Sequence, residues 1–430
     1  MSLPRYPKYK DSGAEWLGEV PTHWRVERLK RSHLLLTEKT ERRNNPIALE
    51  NIQSWTGRFI HTATEFEGDG VAFERGDMLF GKLRPYLAKV LLAATSGEAI
   101  GDFFVIRPDG TTHGRFSQYQ MLTRSFIDIV DGSTFGSKMP RASWEHVGGT
   151  VVTRPPLHEQ LCIVAFLDQE TAKIDALVAE QQRLMELLKE KRQAVISQAV
   201  TKGLSPTAPM RQSGIEWLGV VPAHWRLKRL KQVSPSLTVG IVVNPSSFLA
   251  DEGLPFVYGG DIREGVINWA NARRIDSASS DSNPKTRLQT GDLLTVRVGA
   301  PGVTAVVPKE CEGGNCASVM LIRRGAFNSD WLCYAMNTRL VRFQVEVVQY
   351  GAAQEQFNIS HAVDFWVPVP PREEQDRIAN HLDGVTRSLD ALAAEAERAI
   401  ELLQERRTAL ISAAVTGQID VRGLADLEAA

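Results

Sequence analysis

The sequence predicts an α+β protein made of two diverged copies of one unit. In that reading, two tandem domains related by a pseudo-two-fold axis are separated by two long antiparallel coiled-coil helices. Three observations carry this. The segment Ser12-Gly13-Ala14-Glu15-Trp16-Leu17-Gly18 recurs as Ser213-Gly214-Ile215-Glu216-Trp217-Leu218-Gly219, and Pro21-Thr22-His23-Trp24-Arg25 recurs as Pro222-Ala223-His224-Trp225-Arg226. Later, Pro155-Pro156-Leu157-His158-Glu159-Gln160 is echoed by Pro370-Pro371-Arg372-Glu373-Glu374-Gln375. Each of these last motifs opens a stretch of some forty residues without proline, roughly eleven helical turns at about 3.6 residues per turn. A period this long is the size of a whole domain plus a connector, not a solenoid repeat. An approximate two-fold axis inside one chain suits a ligand with two related halves.

The elements follow in order. Residues 1–155 and 204–370 show short β-branched and aromatic runs between turn signals, which reads as strands. Examples are Asp77-Met78-Leu79-Phe80 and Phe103-Phe104-Val105-Ile106 in the first copy, and Leu293-Leu294-Thr295-Val296 and Ser318-Val319-Met320-Leu321-Ile322 in the second. Gly76-Asp77 and Gly291-Asp292 open equivalent strands, and helical stretches fall near 116–129 and 329–347. The segments 156–203 and 371–421 are the expected spacer helices, with 422–430 left as a C-terminal tail. Prolines stand just before each helix, where a missing N–H costs nothing. In the second helix apolar residues step by three and four through Leu382, Val385, Leu389, Leu392, Leu403 and Leu410. The equivalent seam of the first is Leu167, Ile174, Leu177, Leu184, Leu188 and Val195. Such stripes are expected to pair with each other.

Composition narrows the function. The 430 residues suffice for two cores, the apolar fraction of 43% is that of a globular protein, and the net charge is −1. No apolar run is long enough to span a membrane. The four cysteines, Cys162, Cys311, Cys316 and Cys333, form no matched framework, so reduced thiols and a cytoplasmic location are expected. The globular stretches lean slightly positive and the segment from 371 onward is acidic, compatible with nucleic-acid contact without demanding it.

Catalytic motifs are missing. Gly76-Asp77-Met78-Leu79-Phe80-Gly81-Lys82 matches the start of a phosphate-binding loop, but Leu83 stands where a magnesium-ligating Ser or Thr is required, and Met78-Leu79-Phe80 reads as a strand. Neither a dinucleotide-binding glycine motif nor the Asn/Asp-Pro-Pro-aromatic tetrapeptide of amino-methyltransferases occurs. No histidine pair has metal-ligand spacing, so no metal site is expected. His23 and His224, beside tryptophans in both copies, read as structural. The expectation is a binding protein with no catalytic residues. Two segments in each copy carry the side chains that pair with base edges and phosphates. In the first copy these are Lys82, Arg84, Tyr86 and Lys89, then Ser133, Thr134, Ser137, Lys138 and Arg141. In the second they are Arg297, then Tyr350, Gln354, Gln356 and Asn358.

Tyr9-Lys10-Asp11-Ser12-Gly13-x-Glu15-Trp16-Leu17-Gly18-x-x-Pro21-x-x-Trp24, its partial repeat from Ser213 to Trp225, and the two Pro-Pro-x-x-Glu-Gln helix starts resemble the DNA-specificity subunit of type I restriction–modification systems. The resemblance runs from about Tyr6 to Asp420. It implies two target-recognition domains held by antiparallel helices, and recognition of a bipartite double-stranded DNA site. It also implies two modification (methyltransferase) subunits and restriction/translocase subunits as partners. S-adenosylmethionine, ATP and magnesium would then be bound by those partners, with no cofactor on this chain. A nuclease or methyltransferase acting alone, and an adaptor using only its coiled coil, are the readings set against it.

Overall fold

The computed structural model describes residues 3–41, 44–62, 69–136, 138–348 and 356–424. Two long helices, Leu157–Lys202 and Arg372–Val415, accompany two sheet-rich lobes. The chain forms two compact units, one built from the residues up to Gln182 together with those from Glu397 onward, the other from Arg183–Ala396. Each long helix therefore gives one half to each unit.

The repeat is structural. In the first unit a four-stranded antiparallel sheet runs in the order His33–Leu36, Phe103–Pro108, Met78–Gly81, Val90–Leu92. In the second the order is Leu237–Val239, Met320–Ile322, Leu293–Thr295, Thr304–Val306. The middle of the segment resembling a phosphate-binding loop, Met78–Gly81, is thus a fully buried strand. Asp77 and Asp292, which open the central strands, are almost wholly buried. Arg107 grips Asp77 through two hydrogen bonds of 2.7 and 2.8 Å, and Arg323 donates to Asp292 at 2.6 Å. A buried carboxylate persists only when paired in this way.

Behind each sheet lie two helices, Gly114–Met121 and Arg124–Gly132 in one unit, Ser329–Met336 and Arg339–Val348 in the other. A second sheet differs between copies. Gly70–Phe73 pairs with Gly97–Ile100 in the first unit, whereas in the second Arg273–Ile275 pairs with Leu254–Val257. One scaffold is kept and one is rewired.

The long helices run antiparallel within each unit. In the first, Ile163, Val164, Phe166 and Leu167 share a core with Ile411, Ala414 and Val415; in the second, Ile196, Ala199 and Val200 share one with Ile378, Ala379 and Leu382. Charged groups repeat the relation. Arg407 lies 3.6 Å from Asp175, and Arg192 lies 3.2 Å from Asp390, so each helix supplies one aspartate and one arginine. Leu167, Ile174, Leu188, Leu382 and Leu389 of the expected seam are buried, while Val195, Val385, Leu403 and Leu410 are partly so. Leu177, Leu184 and Leu392 are 45%, 41% and 48% exposed. A seven-residue spacing drifts by about 20° per heptad on a helix of 3.6 residues per turn, which carries some seam positions out of the buried face. All four cysteines are buried and unbonded.

One buried histidine sets an acid limit. His33 Nδ1 donates to the Leu29 carbonyl at 3.1 Å, and its Nε2 accepts from Ser117 Oγ at 2.8 Å, so the neutral ring fits. Burial pushes its pKa down from 6.5 to about 4. The unfolded chain takes up this proton near pH 6.5 and the folded chain resists until about pH 4. Its contribution is therefore complete above pH 6.5 and declines as the pH falls toward 4, by on the order of 3 kcal/mol. Urea midpoints of wild type and His33→Asn at pH 7 and pH 5 should show a smaller acid loss in the variant. Equal losses would exclude His33 as a source.

Candidate nucleic-acid interface

The duplicated motifs meet at the start of each long helix. Glu159, in the first turn, accepts from Trp24 Nε1 at 3.0 Å and from the Tyr6 hydroxyl at 3.2 Å, while His23 Nε2 lies 2.7 Å from its other oxygen. Glu374 holds the equivalent pair through one oxygen, Oε2, with His224 at 2.8 Å and Trp225 at 3.1 Å. The next residue of each motif closes the corner. Gln160 Nε2 donates to the Pro155 carbonyl and Gln375 Nε2 to the Pro370 carbonyl, both at 2.9 Å. Their amide oxygens accept from the backbone N–H of His113 and of Asn328, both at 2.8 Å. The motif that announces the repeat is thus the joint between sheet lobe and helix. The structural reading of His23 and His224 agrees with these bonds.

A second joint went unseen in the sequence. The Tyr334 hydroxyl donates to Asp383 at 2.7 Å and lies 3.3 Å from Thr386 Oγ1. Tyr119, Asp168 and Thr171 make the matching set 215 positions earlier. Burial first, and then the hydrogen bond to the carboxylate, raise both tyrosine pKa values to about 12, so both hydroxyls remain donors at neutral pH. The signal was available, because all three residues recur at the late offset.

The candidate reading residues lie on other loops of the same units. In the first unit the two candidate segments come together. Phe135 and Arg141 exchange backbone hydrogen bonds of 3.2 and 3.1 Å, and Arg84 N–H donates to the Pro140 carbonyl at 2.8 Å. In the second unit Phe357 N–H donates to the Arg297 carbonyl at 3.2 Å, and Val298 bridges to Gln356. The same pairing therefore recurs, with different side chains displayed.

The side chains divide by what they already bind. Arg141 forks onto Asp102 at 3.2 and 3.0 Å, and that hydrogen bonding holds its pKa above the usual range. Lys82 lies 3.6 Å from the same carboxylate. Lys89 is half-buried and donates to the Leu49 carbonyl at 2.6 Å; desolvation lowers its pKa. Ser133 and Thr134 hydroxyls return to the carbonyls of Val130 and Asp131 at 2.7 and 2.8 Å, closing the preceding helix. Arg297 Nε donates to the Phe357 carbonyl at 3.2 Å. Gln356 is partly buried, and Asn358 is exposed at the start of a short helix, Ile359–Ala362. By contrast, Arg84 and Lys138 are exposed and, among the described residues, their side chains have no hydrogen-bond or ion-pair partner; Tyr86 is 44% exposed. Ser137, Tyr350 and Gln354 lie outside the described residues. Among the described residues, no three His, Cys, Asp or Glu side chains converge to hold a metal ion. No helix among them is long and apolar enough to cross a membrane.

No protein-family model matches the chain. Among curated proteins, the specificity subunit of the type I restriction enzyme EcoBI from Escherichia coli is 23% identical over 317 residues, covering 70% of this chain and 65% of that subunit. The EcoDI specificity subunit from the same species is 29% identical over 158 residues. The chain is a homologue of type I restriction–modification specificity subunits. Solved structures agree on the fold. The HsdS subunit from Thermoanaerobacter tengcongensis superposes with a TM-score of 0.56 at 20% identity, covering 93% of this chain and 98% of that one. A chain from a structural study of complex assembly and conformational transition in a type I restriction–modification system gives 0.68 at 21% identity, covering 92% and 98%. Two sheet-rich lobes with long paired helices are thus the architecture of this homologous group, as the duplication predicts.

Proposed function

We propose that the chain is the non-catalytic specificity subunit of a type I restriction–modification system, and that each copy reads one half of a bipartite double-stranded DNA site. The observation that carries this reading is the repeated joint and central sheet beneath loops that differ in sequence. A repeated frame with different displayed residues suits two unrelated half-sites in fixed relation. Residues 1–155 and 204–370 are the two target-recognition domains in this proposal, 156–203 and 371–421 the helices between them, and 422–430 a tail. Among the candidate residues, Arg84, Tyr86 and Lys138 are free to contact DNA, Gln356 and Asn358 offer amides suited to adenine edges, and Lys89 and Arg141 hold the loops in place.

Two methyltransferase subunits are the proposed partners along the helices, where Leu177, Leu184, Leu187, Leu392 and Leu402 are exposed. Restriction and translocase subunits join that assembly. S-adenosylmethionine, ATP and magnesium belong to those partners, and the complex works in the cytoplasm. The chain carries a net charge of −1, and affinity for DNA grows with the number of phosphates neutralised. The purified chain alone should therefore bind duplex weakly, at about 10⁻⁵ M near physiological salt, and the chain with its methyltransferase partners at about 10⁻⁸ M or tighter. Gel-shift titrations with and without the partner decide this. Nanomolar sequence-specific binding by the isolated chain would contradict the division of labour.

A further inference from the structure

We propose that Phe135 and Met139 form an apolar wedge that enters DNA at a base step, with Arg84 and Lys138 on the adjoining phosphates. The proposal rests on the DNA-reading role above and adds the mode of contact.

The frame is fixed and the apolar groups project from it. Phe135 and Arg141 exchange both backbone hydrogen bonds, Leu83 bridges to Arg141, and Ala142 N–H donates to the Lys82 carbonyl at 2.9 Å. The Arg141 guanidinium is clamped on Asp102. Gly136 turns the chain at a φ of +94°, where a side chain would be strained and an added Cβ would stand 3.2 Å from the Met139 carbonyl. Beside this frame Phe135 is 63% exposed and Met139 50%.

A single exposed aromatic group on a surface means little. Here two large apolar side chains lie close in sequence to a lysine, and Arg84, on the segment that carries Tyr86, donates its backbone N–H to the Pro140 carbonyl. The neighbouring carboxylate, Asp102, is already occupied by Arg141 and Lys82, which leaves Arg84 and Lys138 unpaired among the described residues. Apolar surface beside unpaired cations matches duplex DNA, which offers phosphates for the cations and stacked bases for the apolar groups. Phe and Met are among the side chains that serve as wedges, and stacking on a base contributes about 1–3 kcal/mol. In the sequence, the late offset sets Tyr350-Gly351 opposite Phe135-Gly136, an aromatic–glycine pair in both copies.

The test uses the chain assembled with its methyltransferase subunits and duplexes carrying its methylation site. Fluorescent analogues that keep base pairing, 2-aminopurine for adenine and pyrrolocytosine for cytosine, replace each such base in turn on either strand of the half-site read by the first copy, the methylated adenine excepted. One position should brighten several-fold on binding. Phe135→Ala should abolish that signal and weaken binding about tenfold, while Phe135→Trp retains both. Circular dichroism and unchanged assembly with the partner exclude misfolding of the alanine variant. The wedge is overturned if no position brightens with the wild type, or if Phe135→Ala changes neither signal nor affinity. It is equally overturned if replacing thymines by uracils weakens binding while no base unstacks, since that marks surface contact with methyl groups. A wild-type complex with no sequence preference at all would remove the underlying DNA-reading role, an outcome separate from the other three.

Discussion

Glu159→Ala should destabilise the first unit by about 3–5 kcal/mol. Two donors that are buried in the fold, Trp24 Nε1 and the Tyr6 hydroxyl, would lose their acceptor, and His23 would lose its partner. Each stranded buried donor costs about 1–3 kcal/mol. Glu159→Gln keeps one acceptor and should recover roughly half of that loss. The matching Glu374→Ala should cost less, about 1–3 kcal/mol, because only His224 and Trp225 depend on it and its carboxylate is 14% exposed. Hydrogen exchange separates the two units. In Glu159→Ala the amides of Tyr9–Asp11 and Arg25–Arg28 should lose protection, while those of Met210–Gln212 and Arg226–Arg229 keep theirs. Equal loss in both sets, or in neither, would mean that Glu159 is not a local joint.

Much of the architecture was legible because it is written twice. The Pro-x-His-Trp and Pro-Pro-x-x-Glu-Gln motifs recur, and the proline-free stretches mark the long helices. What the sequence does not reveal are the bonds between the motifs. His23, Trp24 and Glu159 are separated by some 135 residues, so nothing local signals that a carboxylate at a helix start completes a turn made so much earlier. The Tyr119–Asp168–Thr171 set escapes for the same reason. The second sheet was illegible because some of its strands, such as Lys39–Thr40 and Leu249–Ala250, are two residues long, too short for any alternation to register.

The candidate interface divides along the same line. Sequence chemistry singles out residues 82–89 and 133–141 separately, and it is the backbone pairing of Phe135 with Arg141 and of Arg84 with Pro140 that brings them side by side. Which cations are free did not follow. Lys89 and Arg141 have the chemistry of DNA-binding groups, yet Leu49 and Asp102 already occupy them. Such pairing depends on neighbours brought in by folding, and a residue's type alone does not disclose it.

Exchanging residues 204–370 for the equivalent segment of a relative with a different site should switch one half of the recognised DNA sequence completely and leave the other untouched. The expectation follows from the two units, each with its own copy of the central sheet, the glutamate joint and the paired loops. The frame that orients each set of loops is built within its own unit, so exchanging the loops of one leaves the frame of the other in place. The measurement is a genome-wide map of methylated adenines in cells that carry the partner subunits with no specificity chain, with the wild-type chain, and with the exchanged chain. The account predicts no methylated motif in the first, a bipartite motif with an unread gap in the second, and the same motif with one half replaced in the third. A motif that persists without the chain, an uninterrupted motif, or an exchange that alters both halves would contradict it.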